Sequence, residues 1–131
     1  MILVDTSVFI DYLKDVHNEK TEKFTAALRQ GVPFGICPCI YQELLQGCLT
    51  EKDFRLLKRY LDTQRMFDVK GGLESYAKAG RIYFDLRKKG KSLRSTLDCL
   101  IAQTAIENGL QLLHNDVDFD LIPLVAPLRI Y

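Results

Sequence analysis

Short apolar runs alternate with longer amphipathic stretches along this chain. Ile2-Leu3-Val4 is typical of a short buried strand. Further strand candidates lie at 34–37, 66–69, 110–113 and 124–130. Between them, apolar residues recur at the three- and four-residue spacing of one helix face. The predicted helices cover 7–13, 19–30, 40–46, 51–61, 73–89 and 95–108. Strands alternating with helices predict an α/β fold with a mainly parallel sheet covered on both faces.

Length and composition indicate one globular domain. The chain has 131 residues, with 47% apolar and 27% charged residues, so we expect a single domain over 1–131. No apolar run approaches the ~18 residues that a membrane-spanning helix needs. The N-terminus lacks a charged leader, and Asp5 interrupts its apolar stretch, so a signal peptide is not expected. We therefore expect a cytoplasmic protein.

The four cysteines do not form a recognisable zinc or disulfide pattern. Cys37 and Cys39 are separated by one residue, and no CxxC pair occurs. Neither His17 nor His114 lies at zinc-finger spacing from them. We expect free thiols, as is usual for proteins of a reducing compartment.

The net charge of +1 says little about partners, but the charge is unevenly distributed. The segment from residue 81 to residue 94 contains six basic residues and one acidic residue. The basic residues are Arg81, Arg87, Lys88, Lys89, Lys91 and Arg94. After residue 115 the balance is acidic. A basic strip and an acidic cluster in one domain suit a polyanion held around metal ions. The alternative is a solvated helix end, where Lys and Arg favour the helix dipole.

Five carboxylates lie where predicted strands end or predicted helices begin. Asp5 follows the first strand, and Glu43 lies one or two helical turns after the second. Asp98 is the only charged residue in the first three turns of its helix, and Asp116 and Asp118 follow a later strand. The carboxyl ends of parallel strands share one edge of the sheet, where α/β folds place their sites. Converging carboxylates repel one another unless they are protonated or bind a cation. Oxygen ligands favour Mg²⁺ or Mn²⁺ over zinc.

Each acid also fits a local structural role. Asp5 is a suitable N-cap for the helix that follows, and Glu43 fits a solvated helix position. Ser95 and Asp98 form the S-x-x-D pattern of a capping box. Residues 115–118 fit a turn. No basic residue in these motifs is expected to pair with the acids, so the metal interpretation rests on their common location.

Four short motifs resemble those of one nuclease family. Residues 4–13, VDTSVFIDYL, are similar to the opening of PIN-domain nucleases, especially VapC-like toxins. Residues 43–47 (ELLQG), 98–102 (DCLIA) and 115–119 (NDVDF) resemble the second, third and fourth motifs. The resemblance covers the whole chain in order. It implies a PIN-like three-layer fold with helices on both faces of the sheet.

The resemblance also implies a catalytic site. Its acidic metal-binding quartet corresponds to Asp5, Glu43, Asp98 and Asp116, with Asp118 as a fifth catalytic acid and Thr6 and Ser95 as hydroxyl neighbours. One or two Mg²⁺ or Mn²⁺ ions would activate a water that hydrolyses RNA. The sequence departs from the family at His114, where Thr or Ser is usual. His114 fits either a structural role at a strand end or proton transfer near neutral pH.

The same resemblance implies two protein partners, a second copy of the chain and a small antitoxin. The apolar stretches at 24–28 and 54–61 fit such interfaces or the core equally well. We expect Tyr76, Tyr83 and Phe84 to be core residues at helical spacing. Two other functions stay open. One is a PIN nuclease that processes RNA without an antitoxin, and the other is an inactive PIN-like binding module.

Overall fold

The computed structural model describes residues 1–131, and a four-stranded parallel sheet lies at its centre. The strands are β1 (Ile2–Val4), β2 (Phe34–Gly35), β3 (Gln111–Leu113) and β4 (Arg129–Ile130). Their spatial order is β2-β1-β3-β4, and every pairing is parallel. The central strand β1 is fully buried, as expected for an apolar run between two neighbours. The predicted α/β class with a parallel sheet is confirmed.

Seven helices flank the sheet. They are α1 (Thr6–Leu13), α2 (Glu19–Arg29), α3 (Pro38–Gln46), α4 (Glu51–Leu61), α5 (Leu73–Lys88), α6 (Thr96–Glu107) and a 3₁₀ helix at Val117–Leu124. Their starts follow local chemistry. Asn18 forms a capping box with Thr21, and the Thr50 side chain accepts a hydrogen bond from the Asp53 amide. The six helices predicted from apolar spacing are all present.

The strands are shorter than the sequence predicts. Only Phe34–Gly35 of the 34–37 stretch and Arg129–Ile130 of the 124–130 stretch are strands. The 66–69 stretch contributes one isolated bridge, between Ile36 and Met66. Residues 117–124 form the 3₁₀ helix, which contains Pro123. Proline has no amide hydrogen to donate to a sheet, so Pro123 and Pro127 restrict strand pairing in this segment.

Aromatic side chains hold α1 against its neighbours. The ring centroid of Phe9 lies 5.9 Å from that of Phe24 and 6.3 Å from that of Tyr60. Phe24 also contacts Phe34 and Tyr12, with centroids 5.1 and 4.9 Å away. Phe9 and Phe24 are almost completely buried. This cluster fixes α1, whose first turn follows directly from β1.

Several apolar residues remain on the surface. Tyr76 is 54% exposed and Phe84 is 40% exposed, so the prediction that both belong to the core is wrong. Tyr83 is half-buried. Apolar spacing on α5 therefore marks a face that this chain leaves partly uncovered.

All four cysteines are free thiols, as predicted. None of the helices is long and apolar enough to cross a membrane.

Candidate metal centre

The predicted acids meet in a polar cleft at the carboxyl ends of β1 and β3. The cleft has a volume of about 390 Å³, and no apolar side chain lines it. Its lining residues are Asp5, Thr6, Ser7, Glu43, Arg94, Ser95, Asp98 and Asp116. Asp118 adjoins it, and Asp98, Asp116 and Asp118 each offer a carboxylate oxygen within 4.8 Å of the others. Residues far apart in the sequence thus form one acidic centre.

Asp5 serves as a helix cap and as part of the cleft. Its Oδ2 accepts hydrogen bonds from the Ser7 amide at 3.0 Å and from Ser7 Oγ at 2.6 Å. Ser7 Oγ in turn accepts one from the Asn115 amide at 2.9 Å, which ties the ends of β1 and β3 together. Burial raises the pKa of Asp5 although the bonds from Ser7 oppose this. Sequence reasoning missed Ser7, although the Asp-x-Ser capping pattern signals it.

Glu43 reaches the cleft from the second turn of α3. Pro38 is suited to the first turn of this helix because it needs no amide donor there. Glu43 is half-buried, and its Oε2 accepts a hydrogen bond of 2.6 Å from Thr6 Oγ1. This contact connects α3 with α1 and fixes one oxygen of Glu43. The simple interpretation of Glu43 as a solvated helix residue does not describe this environment.

Asp98 lies in the first turn of α6 and is 8% exposed. Burial is the main reason that its pKa rises to about 7, and repulsion from Asp5, Asp116, Asp118 and Glu43 adds to the rise. No group of the protein donates a hydrogen bond to its carboxylate, unlike the other four acids. A carboxylate in this position is costly to ionise without a nearby cation.

Ser95 is the N-cap of α6, but the predicted capping box is incomplete. Its Oγ accepts a hydrogen bond from the Leu97 amide at 3.2 Å. The Asp98 carboxylate makes no return bond to the Ser95 amide. Asp98 is therefore free to face the cleft rather than close the helix end.

Arg94 bridges the two acids that follow β3. Its Nη2 donates to Asp116 Oδ1 at 2.7 Å, and its Nε donates to Asp118 Oδ2 at 3.0 Å. The Arg94 amide also donates to Asp118 Oδ2 at 3.0 Å, and this bond is the main reason that the pKa of Asp118 lies below its usual value. The sequence predicted no basic partner within the motifs, and the partner of these two acids, Arg94, lies outside them. The pairing joins segments more than 20 residues apart, which local motifs do not reveal.

Four of the five acids share one arrangement. Each has one carboxylate oxygen held by the protein and one oxygen without a hydrogen bond from the chain. The held oxygens are Asp5 Oδ2, Glu43 Oε2, Asp116 Oδ1 and Asp118 Oδ2. Five acids and one guanidinium leave an excess of negative charge in the cleft. Oriented, unpaired carboxylate oxygens fit the donor set that Mg²⁺ and Mn²⁺ prefer.

His114 lies beneath the cleft and does not line it. It is 3% exposed, and its ring packs on Phe119 with centroids 5.1 Å apart. Its Nδ1 accepts a hydrogen bond from the Asp116 amide at 3.2 Å, and its Nε2 is 3.4 Å from Asp120 Oδ1. Burial lowers its pKa. These contacts support the structural interpretation, in which neutral His114 positions Asp116.

The remaining basic residues of the 81–94 segment lie outside the cleft. They occupy the second half of α5 and the following loop, where all are exposed: Arg81, Arg87, Lys88, Lys89 and Lys91. Arg81 pairs with Asp85 at 3.0 Å. Arg81 and Lys88 lie 5.2 and 4.6 Å from the centroid of the Phe84 ring. The structure therefore separates Arg94 from the other five basic residues.

Comparison with known proteins gives one consistent family. A PIN-domain profile matches residues 2–124. The ribonuclease VapC11 of Mycobacterium tuberculosis and a VapC ribonuclease of Mycobacterium bovis are each 32% identical over 130 residues, which cover 98% of this chain and 96% of theirs.

Solved structures share the fold at lower identity. VapBC2 from Rickettsia felis, crystallised with a DNA fragment of its promoter, aligns with a TM-score of 0.75 at 18% identity, covering 100% of this chain and 98% of that one. FitAcB from Neisseria gonorrhoeae aligns with a TM-score of 0.71 at 21% identity, covering 100% and 96%.

Proposed function

Since this chain belongs to the PIN-domain family, we propose that it is a metal-dependent endoribonuclease acting as the toxin of a toxin–antitoxin pair. The observation that carries the proposal is the convergence of four carboxylates on Asp98, whose own carboxylate receives no hydrogen bond or ion pair from the protein. Use of divalent metals is general among PIN nucleases. The VapC ribonucleases that resemble this chain along almost its whole length support RNA as the substrate.

We assign as metal ligands the carboxylate oxygens that accept no hydrogen bond from the chain. Asp98, Asp116 and Asp118 would hold an Mg²⁺ or Mn²⁺ ion, and Asp5 and Glu43 complete the site for one or two ions. When bound, the ion supplies a water of lowered pKa and neutralises charge on the phosphate. Ser7 and Thr6 orient Asp5 and Glu43, while Ser95 begins the helix that presents Asp98.

A covalent route has no support in this cleft. Ser7 Oγ donates its hydrogen to Asp5, and no histidine lines the cleft to act as its base. His17 is exposed, and His114 is buried beneath Asp116. Water is therefore the nucleophile in this proposal.

Substrate binding is assigned to the exposed basic strip on α5 and the loop that leads to Arg94. Its members are Arg81, Arg87, Lys88, Lys89 and Lys91. Such side chains neutralise phosphates without reading the base sequence. The loop ends at Arg94, which lines the acidic cleft, so an RNA backbone bound along the strip would reach the cleft at this residue.

A second copy of the chain is proposed to pack on the groove between α5 and α6. Tyr76, Gly80, Tyr83 and Leu97 line this groove of about 300 Å³. Gly80 lies inside a helix, where glycine costs up to about 1 kcal/mol relative to alanine. A Cβ added there would meet nothing within 4 Å, so packing within this chain does not require glycine. Close approach by a partner's backbone would account for it.

A small antitoxin is proposed to cover the other apolar groove, formed by α1, α3 and α4. This groove has a volume of about 510 Å³ and contains the exposed residues Leu13, Leu49 and Leu56. The two stretches that the sequence analysis proposed as interfaces, 24–28 and 54–61, therefore differ in how far they are exposed. Phe24 and Ala27 are buried in the core, whereas Leu56 and Tyr60 face outwards. The solved VapBC2 complex supports a partner of this kind.

The nuclease activity is tested with purified protein and a labelled structured RNA. We expect cleavage in Mg²⁺ or Mn²⁺, none in EDTA, and none by Asp5→Asn or Asp98→Asn. Asparagine also caps helices, so Asp5→Asn keeps α1 in place while removing the charge. Glu74→Ala, which removes an exposed acid of α5 outside the cleft, serves as the control. Cleavage by folded Asp98→Asn, or cleavage in EDTA, contradicts the proposed site.

The toxin role is tested separately, by expression in bacterial cytoplasm. We expect the chain alone to arrest growth, Asp98→Asn not to, and co-expression of a cognate small antitoxin to restore growth. RNA cleavage without growth arrest would favour an RNA-processing PIN nuclease. A folded protein that binds RNA but cleaves none would favour the inactive binding module.

A further inference from the structure

Arg94 joins the acidic cleft through its side chain and through its backbone. The guanidinium contacts Asp116 Oδ1 and Asp118 Oδ2 at 2.7 and 3.0 Å, and the amide contacts Asp118 Oδ2 at 3.0 Å. It is the only cationic side chain lining the cleft. We propose that Arg94 is an internal counter-cation, which offsets the acids in the metal-free protein and is displaced when metal binds. This inference rests on the proposed metal-dependent function.

The Arg94 side chain is suited to leaving its position. Its side chain is 73% exposed, although Asp118, which it contacts, is only 10% exposed. Exposed ion pairs contribute little to stability because water screens them and the long side chain loses freedom. Moving the guanidinium into solvent therefore costs little free energy, and no buried packing is lost.

The acids keep their positions without the guanidinium. The Asp118 amide donates to Asp116 Oδ1 at 3.0 Å, and the Arg94 amide donates to Asp118 Oδ2. Both of these bonds come from the backbone and persist when the side chain of residue 94 is shortened. The guanidinium therefore contributes mainly charge to the cleft, while the backbone contributes geometry.

A positive charge at this place competes with a metal ion for the same carboxylates. Removing it should tighten metal binding by about three- to tenfold, because the metal then no longer has to replace two ion pairs of the strength usual at a protein surface. Once displaced, the guanidinium stays at the cleft rim. Its planar set of donors matches a phosphate group, so it is placed to hold the RNA backbone beside the acids.

The experiment is calorimetric titration of Mn²⁺ into metal-free protein without RNA. We expect Arg94→Ala to bind Mn²⁺ three- to tenfold more tightly than wild type, and Arg94→Lys to bind it with nearly wild-type affinity. The matched control is Lys52→Ala, which removes the same charge from an exposed position on α4 outside the cleft, and it should leave Mn²⁺ affinity unchanged. In the cleavage assay, Arg94→Ala should show a raised KM for RNA despite its tighter metal site.

The outcomes separate this inference from the proposed function. Equal or weaker Mn²⁺ binding by folded Arg94→Ala, with wild type binding normally, overturns the counter-cation role alone. Absence of Mn²⁺ binding by wild type and Arg94→Ala overturns the metal centre and the inference together. A circular dichroism spectrum of each variant establishes that it is folded.

Discussion

Asp98 shows how a single residue links stability to function. It is buried among four other acids, and its pKa is raised from 3.8 to about 7. In the unfolded chain the same carboxyl ionises near its ordinary value. Between these two pKa values the folded state holds a proton that the unfolded state has released, so the free energy of unfolding falls as pH rises. Above pH 7 the ionised group opposes folding unless a cation binds beside it.

We predict that metal-free wild type loses stability between pH 4 and pH 8, whereas Asp98→Asn loses much less. One pKa unit corresponds to about 1.4 kcal/mol, so the loss due to Asp98 is at most roughly 4 kcal/mol. Burial raises the pKa of Asp5 in the same direction, whereas burial lowers the pKa of His114 from 6.5 and so opposes the loss below that pH. The lowered pKa of Asp118 acts below its usual value of 3.8 and therefore outside this range. Urea denaturation in EDTA at several pH values measures the effect.

Two further stability measurements at pH 8 test the pH prediction. At pH 8 without metal, Asp98→Asn should be more stable than wild type, and Mg²⁺ should stabilise wild type much more than the variant. A wild-type protein whose stability rises steadily from pH 4 to pH 8 would contradict the raised pKa of Asp98.

Among the elements, α1 connects the hydrophobic core to the acidic cleft. Its first residue, Thr6, bonds Glu43, and its cap, Asp5, lies in the cleft itself. One turn further on, Phe9 packs among the aromatic rings that also include Phe24 and Tyr60. Because the helix is rigid over this distance, packing at Phe9 determines the positions of Asp5 and Thr6 in the cleft.

We predict that Phe24→Ala lowers the free energy of unfolding by about 3–5 kcal/mol, since it leaves a cavity beside Phe9 and Tyr12. Unfolding in guanidinium chloride should show a lower midpoint concentration of denaturant, while the dependence of the free energy of unfolding on denaturant stays unchanged. Leu49→Ala is the control, because Leu49 is 96% exposed and its loss should change stability by less than about 0.5 kcal/mol. A Phe24→Ala variant as stable as this control would show that the cluster is not a packed unit.

At the scale of the whole molecule, two apolar grooves flank the polar cleft. The α5–α6 groove shares the first turn of α6 with the cleft, since Leu97 lines one and Asp98 the other. The α1–α3–α4 groove adjoins the helices that carry Thr6 and Glu43. A partner on either groove therefore contacts an element that positions a cleft carboxylate.

We predict that the wild-type chain sediments as a homodimer and that Gly80→Gln sediments as a monomer in a sedimentation velocity experiment. A Cβ at residue 80 would meet no atom within 4 Å, and glutamine favours a helix more than glycine does, so the monomer should be at least as stable as before. Lys78→Gln, which alters an exposed residue outside this groove, should leave the dimer intact. A Gly80→Gln protein that remains dimeric would place the interface on another surface.

The sequence by itself determined the order of the six α-helices and the identity of the cleft acids. Periodic apolar positions identified all six α-helices, and the buried run at 2–4 identified the central strand. Four motifs located Asp5, Glu43, Asp98 and Asp116, all of which line the cleft. These features depend on neighbours within a few residues, such as helix spacing, caps and strand ends, so a local pattern was sufficient to find them.

Only the tertiary structure decided which groups pair and which apolar faces stay open. Arg94 belonged to a basic strip in sequence, yet it bonds Asp116 and Asp118 because the loop before α6 meets the end of β3. Apolar spacing marked one face of α5, but it did not reveal that Tyr76 and Phe84 remain exposed. Periodicity shows that a face is apolar, whereas the packing of distant segments determines whether the chain itself covers it.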